Sequence, residues 1–323
     1  MRQRIRVAVI GGGQNVEHDV SRASAASARA ALDPAKYEAV AFTIGRDGVW
    51  CDGDGRAFGV SPAGSLAGAM QALSTCDIVL PLLHGPLGED GAIAALCELA
   101  GLPYVGSPPR AGALAMDKWA TKLLAEALGV RTAPGTLVTS ADEVAFERPV
   151  VVKPVAAGSS FGVRLVRSEA ELRPAILAAL EHDDRALVEH LVIGREIDIA
   201  VLDDPQGGPR TGPPLEIIVH NGLFDTVAKY SGGAKFVVPA PLSDHESALL
   251  TTAALRVYRA LGCRGVARVD FFLTESGPIL NEVNTMPGMT EASQLPKIFA
   301  AAGLSYPDLL DHLLQAATRI VST

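Results

Sequence analysis

The segment from Gly265 to Thr290, GVARVDFFLTESGPILNEVNTMPGMT, decides the fold of the C-terminal half of the chain. Its first part alternates as a β-strand does, with one face formed by Val269, Phe271 and Leu273 and the other by Arg268, Asp270 and Phe272. Residues 275–277 form a predicted three-residue turn, whose glycine accepts a left-handed backbone. Pro278 opens the return strand, where a missing N–H is tolerated. The segment therefore predicts a β-hairpin in which Thr274 faces Pro278.

The same register places Asp270 opposite Glu282, and Glu282 shares a strand face with Asn284. Opposed residues have Cβ atoms roughly 5 Å apart, so the two carboxylates repel each other unless a positive charge lies between them. Oxygen atoms of these residue types suit Mg²⁺, which binds few protein groups together with substrate phosphates. Arg268 adds positive charge on the same face for a developing oxyanion. A solvated hairpin face is the alternative, but flanking apolar runs and Pro287-Gly288 favour a metal site.

Length and composition predict a soluble globular protein of two or three domains. The chain has 323 residues, of which 48% are hydrophobic and 20% charged. The formal net charge is −8, and no cluster of Lys and Arg interrupts the acidic balance. This argues against a nucleic-acid or anionic-membrane partner.

The N-terminal segment, the lengths of the apolar runs and the spacing of the cysteines together predict a cytoplasmic location. The N-terminus has only a short apolar run before its glycines, which indicates a strand rather than a signal peptide. No apolar run approaches the roughly 18 residues that a membrane span requires. The cysteines are far apart and form no C-x-x-C pair, so we expect reduced thiols.

The N-terminal third predicts an α/β domain with a parallel sheet. Strands are expected at 5–10, 38–44, 77–83 and 104–105, and helices at 17–32 and 92–100. Glycines after the first strand form a ready ligand site, but Val16 stands where the dinucleotide fingerprint needs a glycine, and a P-loop is absent. Glu17 at the start of the helix can simply complement the helix dipole. The loop at 84–91 follows the third strand, at the sheet edge where ligands bind open α/β folds.

The middle of the chain predicts a glycine loop between two strands. A helix at 117–128, N-capped by Asp117, precedes a strand that ends at Lys153. The loop at 158–162 leads into a strand at 163–166, and its N–H groups can cover phosphates while Lys153 supplies charge. An ordinary hairpin turn is the alternative.

The remaining segments complete the predicted architecture. Helices are expected at 169–180, 244–261 and 306–320, and two strands around Gly194 between residues 186 and 201. The segment 205–214 is predicted to be a surface loop because it is rich in Pro and Gly. A second glycine-ended loop lies at 228–233.

Seven short motifs then occur in sequence order: G-G-Q-N-V-E-H-D-V-S (12–21), L-H-G-P-L-G-E-D-G (83–91), A-M-D-K (115–118), V-V-K-P…G-S-S-F-G (151–162), A-K-Y (228–230), A-R-V-D (267–270) and N-E-V-N-T-M-P-G-M-T (281–290). Together they resemble the D-alanine–D-alanine ligases of the ATP-grasp superfamily, from Val7 to about Leu310. The resemblance implies an α/β and α+β fold with three parts: an N-terminal parallel-sheet domain (1–116), a small central α+β domain (117–194) and a C-terminal antiparallel-sheet domain with the metal hairpin and a lid loop (195–323).

The resemblance also implies a reaction and its residues. One D-alanine carboxylate would attack the γ-phosphate of ATP to form an acyl phosphate, and the amine of a second D-alanine would displace the phosphate to give a peptidoglycan precursor. The implied catalytic residues are Glu17, Ser159, Tyr230, Arg268 and Gly288. Substrate would contact His84, Ser293 and Gln294. ATP would contact Lys118, Lys153, Ser160, Glu189, His190, Leu191, Val192, Glu196 and Lys229. Two Mg²⁺ ions, or Mn²⁺, would bind Asp270, Glu282 and Asn284.

Some residues depart from the family pattern. The family lid usually reads F-Y-D-Y-E-A-K-Y, whereas this chain has L-F-D-T-V-A-K-Y at 223–230, and Gln14-Asn15 replaces the usual Arg/Lys-Ser. Gln294 stands where the family has an aliphatic residue or Met. These changes leave the ATP and metal residues in place but bear on lid closure and on the second substrate. Tyr230 favours an amine over a hydroxy acid.

Several alternatives stay open on the sequence. The same mechanism could serve D-serine, D-lactate or a specialised-pathway precursor as the second substrate, because pockets distinguish such small groups by only roughly 1–3 kcal/mol. A non-catalytic nucleotide sensor would have lost a metal ligand, yet all three are present. A nicotinamide oxidoreductase is disfavoured by the broken glycine fingerprint. By resemblance, we expect a homodimer formed through the N-terminal domain.

Overall fold

The computed structural model describes residues 4–204, 208–219 and 234–320. Within them, the strands and helices are β1 (Ile5–Gly12), α1 (His18–Ala31), β2 (Tyr37–Ile44), β3 (Trp50–Asp52), α2 (Pro62–Leu73), β4 (Ile78–Pro81), α3 (Ala92–Leu99), α4 (Pro109–Met116), α5 (Lys118–Ala127), β5 (Gly135–Val138), β6 (Val150–Pro154), β7 (Arg164–Val166), α6 (Glu169–Leu180), β8 (Ala186–His190), β9 (Arg195–Asp204), β10 (Gly208–Thr211), β11 (Leu215–Val219), β12 (Ala234–Val237), α7 (Asp244–Leu261), β13 (Val266–Thr274), β14 (Gly277–Asn284), α8 (Gln294–Ala301) and α9 (Tyr306–Ile320). The predicted helices are confirmed to within one or two residues at 17–32, 92–100, 117–128, 169–180, 244–261 and 306–320.

The N-terminal sheet has the order β3-β2-β1-β4, with β1 parallel to both β2 and β4. Residues Val7 and Val9 of β1 belong to one hydrophobic cluster, whereas Ala8 and Ile10 belong to another. Both faces of the strand are therefore covered, which explains its uninterrupted apolar sequence. The predicted parallel sheet is confirmed. Its carboxyl edge places the segments after β1 and β4 side by side.

Two antiparallel sheets follow. The central sheet has the order β5-β8-β6-β7, and the C-terminal sheet has the order β12-β11-β9-β13-β14, with β10 beside β9. The mixed α/β and α+β fold class is thereby confirmed. Helix α7 packs on the C-terminal sheet and begins with a capping box between Ser243 and Glu246.

The C-terminal hairpin corrects one prediction and confirms another. Thr274 pairs with Gly277 rather than facing Pro278, so the turn has two residues instead of three. A β-bulge between Asp270 and Phe271 then shifts the register by one residue, so that Asp270 pairs with Glu282 as predicted. The shorter turn and the bulge compensate each other.

The segment predicted as a surface loop at 205–214 is partly a strand. Residues 208–211 form β10, which pairs antiparallel with the end of β9. The prediction was wrong there because a chain reversal can bring a glycine- and proline-containing edge segment back onto its own strand. The expected strand at 104–105 is reduced to a single bridge between Val79 and Tyr104. In the described part of the chain, no helix is long and apolar enough to cross a membrane.

Candidate active site

A cleft lies between the central and C-terminal sheets, with an empty volume of about 1120 Å³ including its open mouth. A cleft of this size accommodates a nucleotide. Its lining includes these residues that the sequence singled out: Lys118, Lys153, Ser160, Glu189, His190, Leu191, Val192, Glu196, Arg268, Asp270 and Glu282. Residues from five separate stretches of the chain are thus brought to one cavity.

Two buried lysines supply positive charge to the cleft. Lys118 Nζ donates to the carbonyl oxygen of Ala157, 2.8 Å away, and lies 3.4 Å from Glu282 Oε2. Lys153 Nζ lies 2.5 Å from Glu189 Oε2 and 3.2 Å from Asn281 Oδ1, the amide of the bulged residue. Both ammonium groups are held by acceptors from neighbouring elements, which orients them for anionic groups such as phosphates.

The start of the C-terminal hairpin, where β13 and β14 pair near Arg268, carries a network of charges. The Arg268 guanidinium donates two hydrogen bonds of 2.7 Å to the Asp270 carboxylate, and Asn284 Nδ2 donates to Asp270 Oδ2 at 3.0 Å. Arg268 Nε also lies 3.3 Å from Asp198 Oδ2. Burial lowers the pKa of Arg268, but the Asp270 and Asp198 carboxylates outweigh that effect and raise it, so the cation is retained.

The donor set at this hairpin fits a divalent cation. Asp270, Glu282 and Asn284 contribute oxygen atoms, which are the ligands that Mg²⁺ prefers. Arg268 and Lys118 lie beside the two carboxylates and supply positive charge to them. Among the described residues, no three His, Cys, Asp or Glu side chains are arranged so that they could hold a metal ion, so a metal site here would rely on the Asn284 amide.

Glu17 lies against the glycine loop of the central domain. Ser159 Oγ donates a short hydrogen bond to Glu17 Oε1. A Cβ atom on Gly158 or on Gly85 would clash with Glu17 Oε2, so both glycines leave space for this carboxylate. Asn15 fixes the surrounding loops, since its side-chain amide donates to the carbonyl oxygens of His84 and Pro86, both at 2.8 Å. Glu17 is only 8% exposed and is enclosed by these loops. Such a carboxylate suits a small ammonium group.

His84 is buried beside the same site. Its Nδ1 donates to the carbonyl oxygen of Met286 at 2.8 Å, and its Nε2 lies 2.9 Å from Ser24 Oγ. Burial lowers the pKa of His84, but the carboxylates of Glu89 and Glu17 outweigh burial and raise it. Burial in turn raises the pKa of Glu89.

The loop that carries Gly288 is held on both sides. The N–H of Met289 donates to Ser24 Oγ at 3.2 Å, and Tyr306 Oη donates to the Met289 carbonyl oxygen. Ser293 Oγ accepts from the N–H of Thr290 at 3.2 Å. The backbone around Gly288 is therefore fixed relative to α1 and α9.

The residues at the glycine loop adopt an unusual backbone. Ser159 and Ser160 have φ angles of 48° and 58°, in the left-handed region that non-glycine residues seldom adopt. Successive N–H groups in such a turn form a concave anion site. The predicted residues Lys229 and Tyr230 lie outside the described residues.

Comparison with known sequences places the chain in a family. The sequence model described as "D-ala D-ala ligase N-terminus" matches residues 6–107, and the one described as "D-ala D-ala ligase C-terminus" matches residues 131–315. The chain belongs to the D-alanine–D-alanine ligase family. Curated members named D-alanine--D-alanine ligase include proteins from Corynebacterium aurimucosum and Mycobacterium avium, each 40% identical to this chain. Those alignments cover 97% and 98% of this chain and 97% of each relative.

Solved structures of the family have the same fold. A D-alanine–D-alanine ligase from Bacillus anthracis, complexed with ATP, is 29% identical with a TM-score of 0.82, covering 98% of this chain and 99% of that one. The VanG D-Ala:D-Ser ligase from Enterococcus faecalis is 31% identical with a TM-score of 0.81, covering 98% of this chain and 100% of that one. The likeness extends over the whole of this family member and not over one domain alone.

Sequence reasoning missed several buried or half-buried polar residues around this cleft. These are Ser24, Glu89, Lys122, Asp198 and Asn281. Lys122 had a detectable signal, because it lies four residues after Lys118 and so on the same face of a helix. Asp198 also had one, as a lone acid in the apolar run of β9. The others became visible only through partners distant in the sequence.

Proposed function

We propose that this chain joins two D-alanine molecules into D-alanyl-D-alanine, with ATP converted to ADP and phosphate through an acyl phosphate. The observation that carries the proposal is the adjacency of two sites. Ser159 binds the Glu17 carboxylate, and the next residue, Ser160, lines the nucleotide cleft. An amino acid held at Glu17 thus lies beside the phosphate end of that cleft.

In the first step, a carboxylate oxygen of D-alanine forms a bond to the γ-phosphorus and ADP leaves. Glu17 pairs with the ammonium group of this substrate, within a Glu17–Ser159–Tyr230 network, and His84 lies by its carboxyl region. Lys118, Lys153 and Lys229 hold phosphate oxygens, and the loop with Ser160 covers them. Catalysis of phosphoryl transfer consists mostly of such positioning and charge neutralisation.

In the second step, the amine of another D-alanine forms a bond to the carbonyl carbon, loses a proton and displaces phosphate. Arg268 and the N–H of Gly288 stabilise the oxyanion that develops on the carbonyl oxygen. Ser293 and Gln294 hold the carboxylate end of this second substrate. The well-fixed loop around Gly288 supports this role, because an oxyanion donor must be in place before the charge develops.

The nucleotide and metal roles follow from the lining of the cleft. Residues 189–192 hold the adenine and Glu196 the ribose. Asp270, Glu282 and Asn284 would hold two Mg²⁺ ions, for which Mn²⁺ can substitute. Bound Mg²⁺ supplies charge neutralisation at the phosphate oxygens.

The wider setting of the reaction is also a proposal. We place the protein in the cytoplasm, where it supplies the dipeptide for peptidoglycan. We further propose a homodimer formed through the N-terminal domain and a three-domain division at 1–116, 117–194 and 195–323.

A second candidate substrate deserves a direct test. Gln294 puts an amide where the family has an apolar residue, and the VanG neighbour is named a D-Ala:D-Ser ligase. A polar side chain at this position would suit a hydroxyl on the second amino acid.

The test is phosphate release from Mg-ATP by the purified protein, with D-alanine alone and then with D-serine, D-lactate or L-alanine added. Rapid release with D-alanine alone, and the dipeptide seen by mass spectrometry, is the expected result. Release only with a mixed pair would assign another second substrate. No release with any pair, despite ATP binding, would overturn ligation and favour a nucleotide sensor.

A further inference from the structure

Helix α5 carries two buried lysines that contact two different glutamates of the nucleotide cleft. Lys118 reaches Glu282 at the hairpin end, as described above. Lys122, one helical turn later, reaches Glu189 on β8, where its Nζ lies 2.7 Å from Oε1. Lys118 lines the cleft, whereas Lys122 lies behind Glu189 and does not line it. Lys122 is therefore placed to act on the cleft through Glu189.

The ammonium group of Lys122 has three hydrogen-bond acceptors, one for each of its N–H donors. Besides Glu189 Oε1, it donates to Thr132 Oγ1 at 3.1 Å and to the carbonyl oxygen of Ala133. Its side chain is 5% exposed and that of Glu189 is 8% exposed. A buried charge is tolerated only when it is paired and hydrogen-bonded in this way. The contacts give Lys122 a single defined position.

The Glu189 carboxylate is fixed by two cations at once. Lys122 holds Oε1 and Lys153 holds Oε2. Burial raises the pKa of Glu189, but Lys153 and Lys122 outweigh burial and lower it, so that the group stays ionised. An ionised carboxylate only accepts hydrogen bonds, and each of its oxygens has a further lone pair available.

This acceptor lies at the end of the cleft that suits a flat base. Ala133, Val151, Leu191 and Phe272 contribute apolar lining to the same cleft, and Val151 pairs with Glu189 across the central sheet. Adenine presents an exocyclic amine at C6, which donates to a carboxylate. Hypoxanthine and guanine present a carbonyl oxygen at that position, which a carboxylate repels.

We propose that Lys122 is a positioning residue for nucleotide selection: it holds the Glu189 carboxylate as an acceptor for the C6 amine of adenine. The inference rests on the proposed use of ATP but not on the identity of the amino-acid substrates. Lys122 does not line the cleft and contacts it only through Glu189. Its effect is therefore on the choice between bases and not on phosphoryl transfer.

The test compares ATP with ITP, which differ at C6, by calorimetric titration of the full-length protein without D-alanine. Loss of a hydrogen bond to a charged group corresponds to roughly a 10-fold or larger loss of affinity. In Lys122→Met, we expect the preference for ATP over ITP to fall by about that factor, mainly through weaker ATP binding. Lys36→Met, at an exposed lysine on the N-terminal domain, is the matched control and should keep the wild-type preference.

Three results would overturn the proposal. These are a wild-type protein without preference for ATP, a Lys122→Met variant that binds both nucleotides as the wild type does, and a Lys122→Met variant that binds both equally more weakly, which indicates a purely structural role. If Lys122→Met does not fold, the same titrations are made with Thr132→Val. This variant keeps Lys122 but removes one acceptor of its ammonium group. A smaller fall in the preference supports the proposal, and no fall contradicts it. Nucleotide binding is measured here without D-alanine. The comparison of ATP with ITP therefore stays interpretable even if the protein does not catalyse the proposed reaction.

Discussion

Asp270 lies directly opposite Glu282 on the C-terminal hairpin, although the turn between their strands is one residue shorter than the sequence indicates. The bulge that restores the register leaves Asn281 without a strand partner. Its amide contacts Lys153 from across the cleft. The same irregularity thus sets the carboxylate pair and links the central sheet to the C-terminal sheet.

Replacing Asn281 by Ala should weaken nucleotide binding. The change removes one acceptor from the Lys153 ammonium group, while Glu189 still holds it. A neutral acceptor contributes about 0.5–1.5 kcal/mol, so KM for ATP should rise roughly 3- to 10-fold with little change in kcat. Steady-state kinetics at saturating D-alanine measures both constants. An unchanged KM for ATP would show that this contact does not position Lys153.

Replacing Gly158 by Ala should disable the amino-acid site. The new Cβ would meet the Glu17 carboxylate directly. We expect kcat/KM for D-alanine to fall about 100-fold, which corresponds to about 2.7 kcal/mol of lost binding and positioning. The matched control is Gly64→Ala on the exposed face of α2, which should keep activity and gain a little stability. Wild-type kinetics in Gly158→Ala would exclude Glu17 as the ammonium partner.

Replacing Asp198 by Asn should slow the reaction without affecting ATP affinity. Asp198 accepts from Gln294 Nε2 at 2.8 Å and lies beside the Arg268 guanidinium. The amide keeps the shape of the side chain but removes one of the two carboxylates that hold Arg268. A charged hydrogen bond contributes roughly 1.5–3 kcal/mol, so kcat should fall about 10- to 100-fold. A parallel rise in KM for ATP, with kcat preserved, would place the role of Asp198 at the nucleotide instead.

The ring of His84 should titrate above the usual value of about 6.5. Glu89 contributes to this raised pKa, so Glu89→Gln should lower it. Because the pKa is raised in the folded state, the stability it contributes is complete below about pH 6.5 and is lost as the pH rises through the folded value. Nitrogen-15 NMR of histidine-labelled protein measures the titration, with Glu38→Gln as the control. A His84 pKa that Glu89→Gln leaves unchanged would contradict the assignment.

The regular elements were predictable because their signals are local. The amphipathic run of α7 and the fully apolar β1 identify a surface helix and a covered parallel strand without any knowledge of their neighbours. The Asp270–Glu282 pairing was also predicted, but from a turn that was one residue too long. A β-bulge has no strong signal in the local sequence, because its position depends on how both strands pair with the rest of the sheet.

The buried polar contacts were not predictable in the same way. Lys122 and Glu189 are 67 residues apart, and Gln294 and Asp198 are 96 apart. A buried lysine or aspartate is costly without a partner, so its presence in an apolar pattern indicates that a partner exists. Which residue fills that role depends on the packing of separate domains. The strained backbone of Ser159 and Ser160 likewise appears only once the loop is folded.

The central claim is that the first D-alanine carboxylate is activated by phosphorylation, and isotope transfer tests it most directly. The protein is supplied with Mg-ATP and D-alanine labelled with ¹⁸O in its carboxyl group, and the released phosphate is analysed by mass spectrometry. We expect one ¹⁸O atom in the phosphate for each dipeptide formed, because the oxygen that attacks the γ-phosphorus leaves with it. Phosphate without the label, released alongside the dipeptide, would show that no acyl phosphate forms.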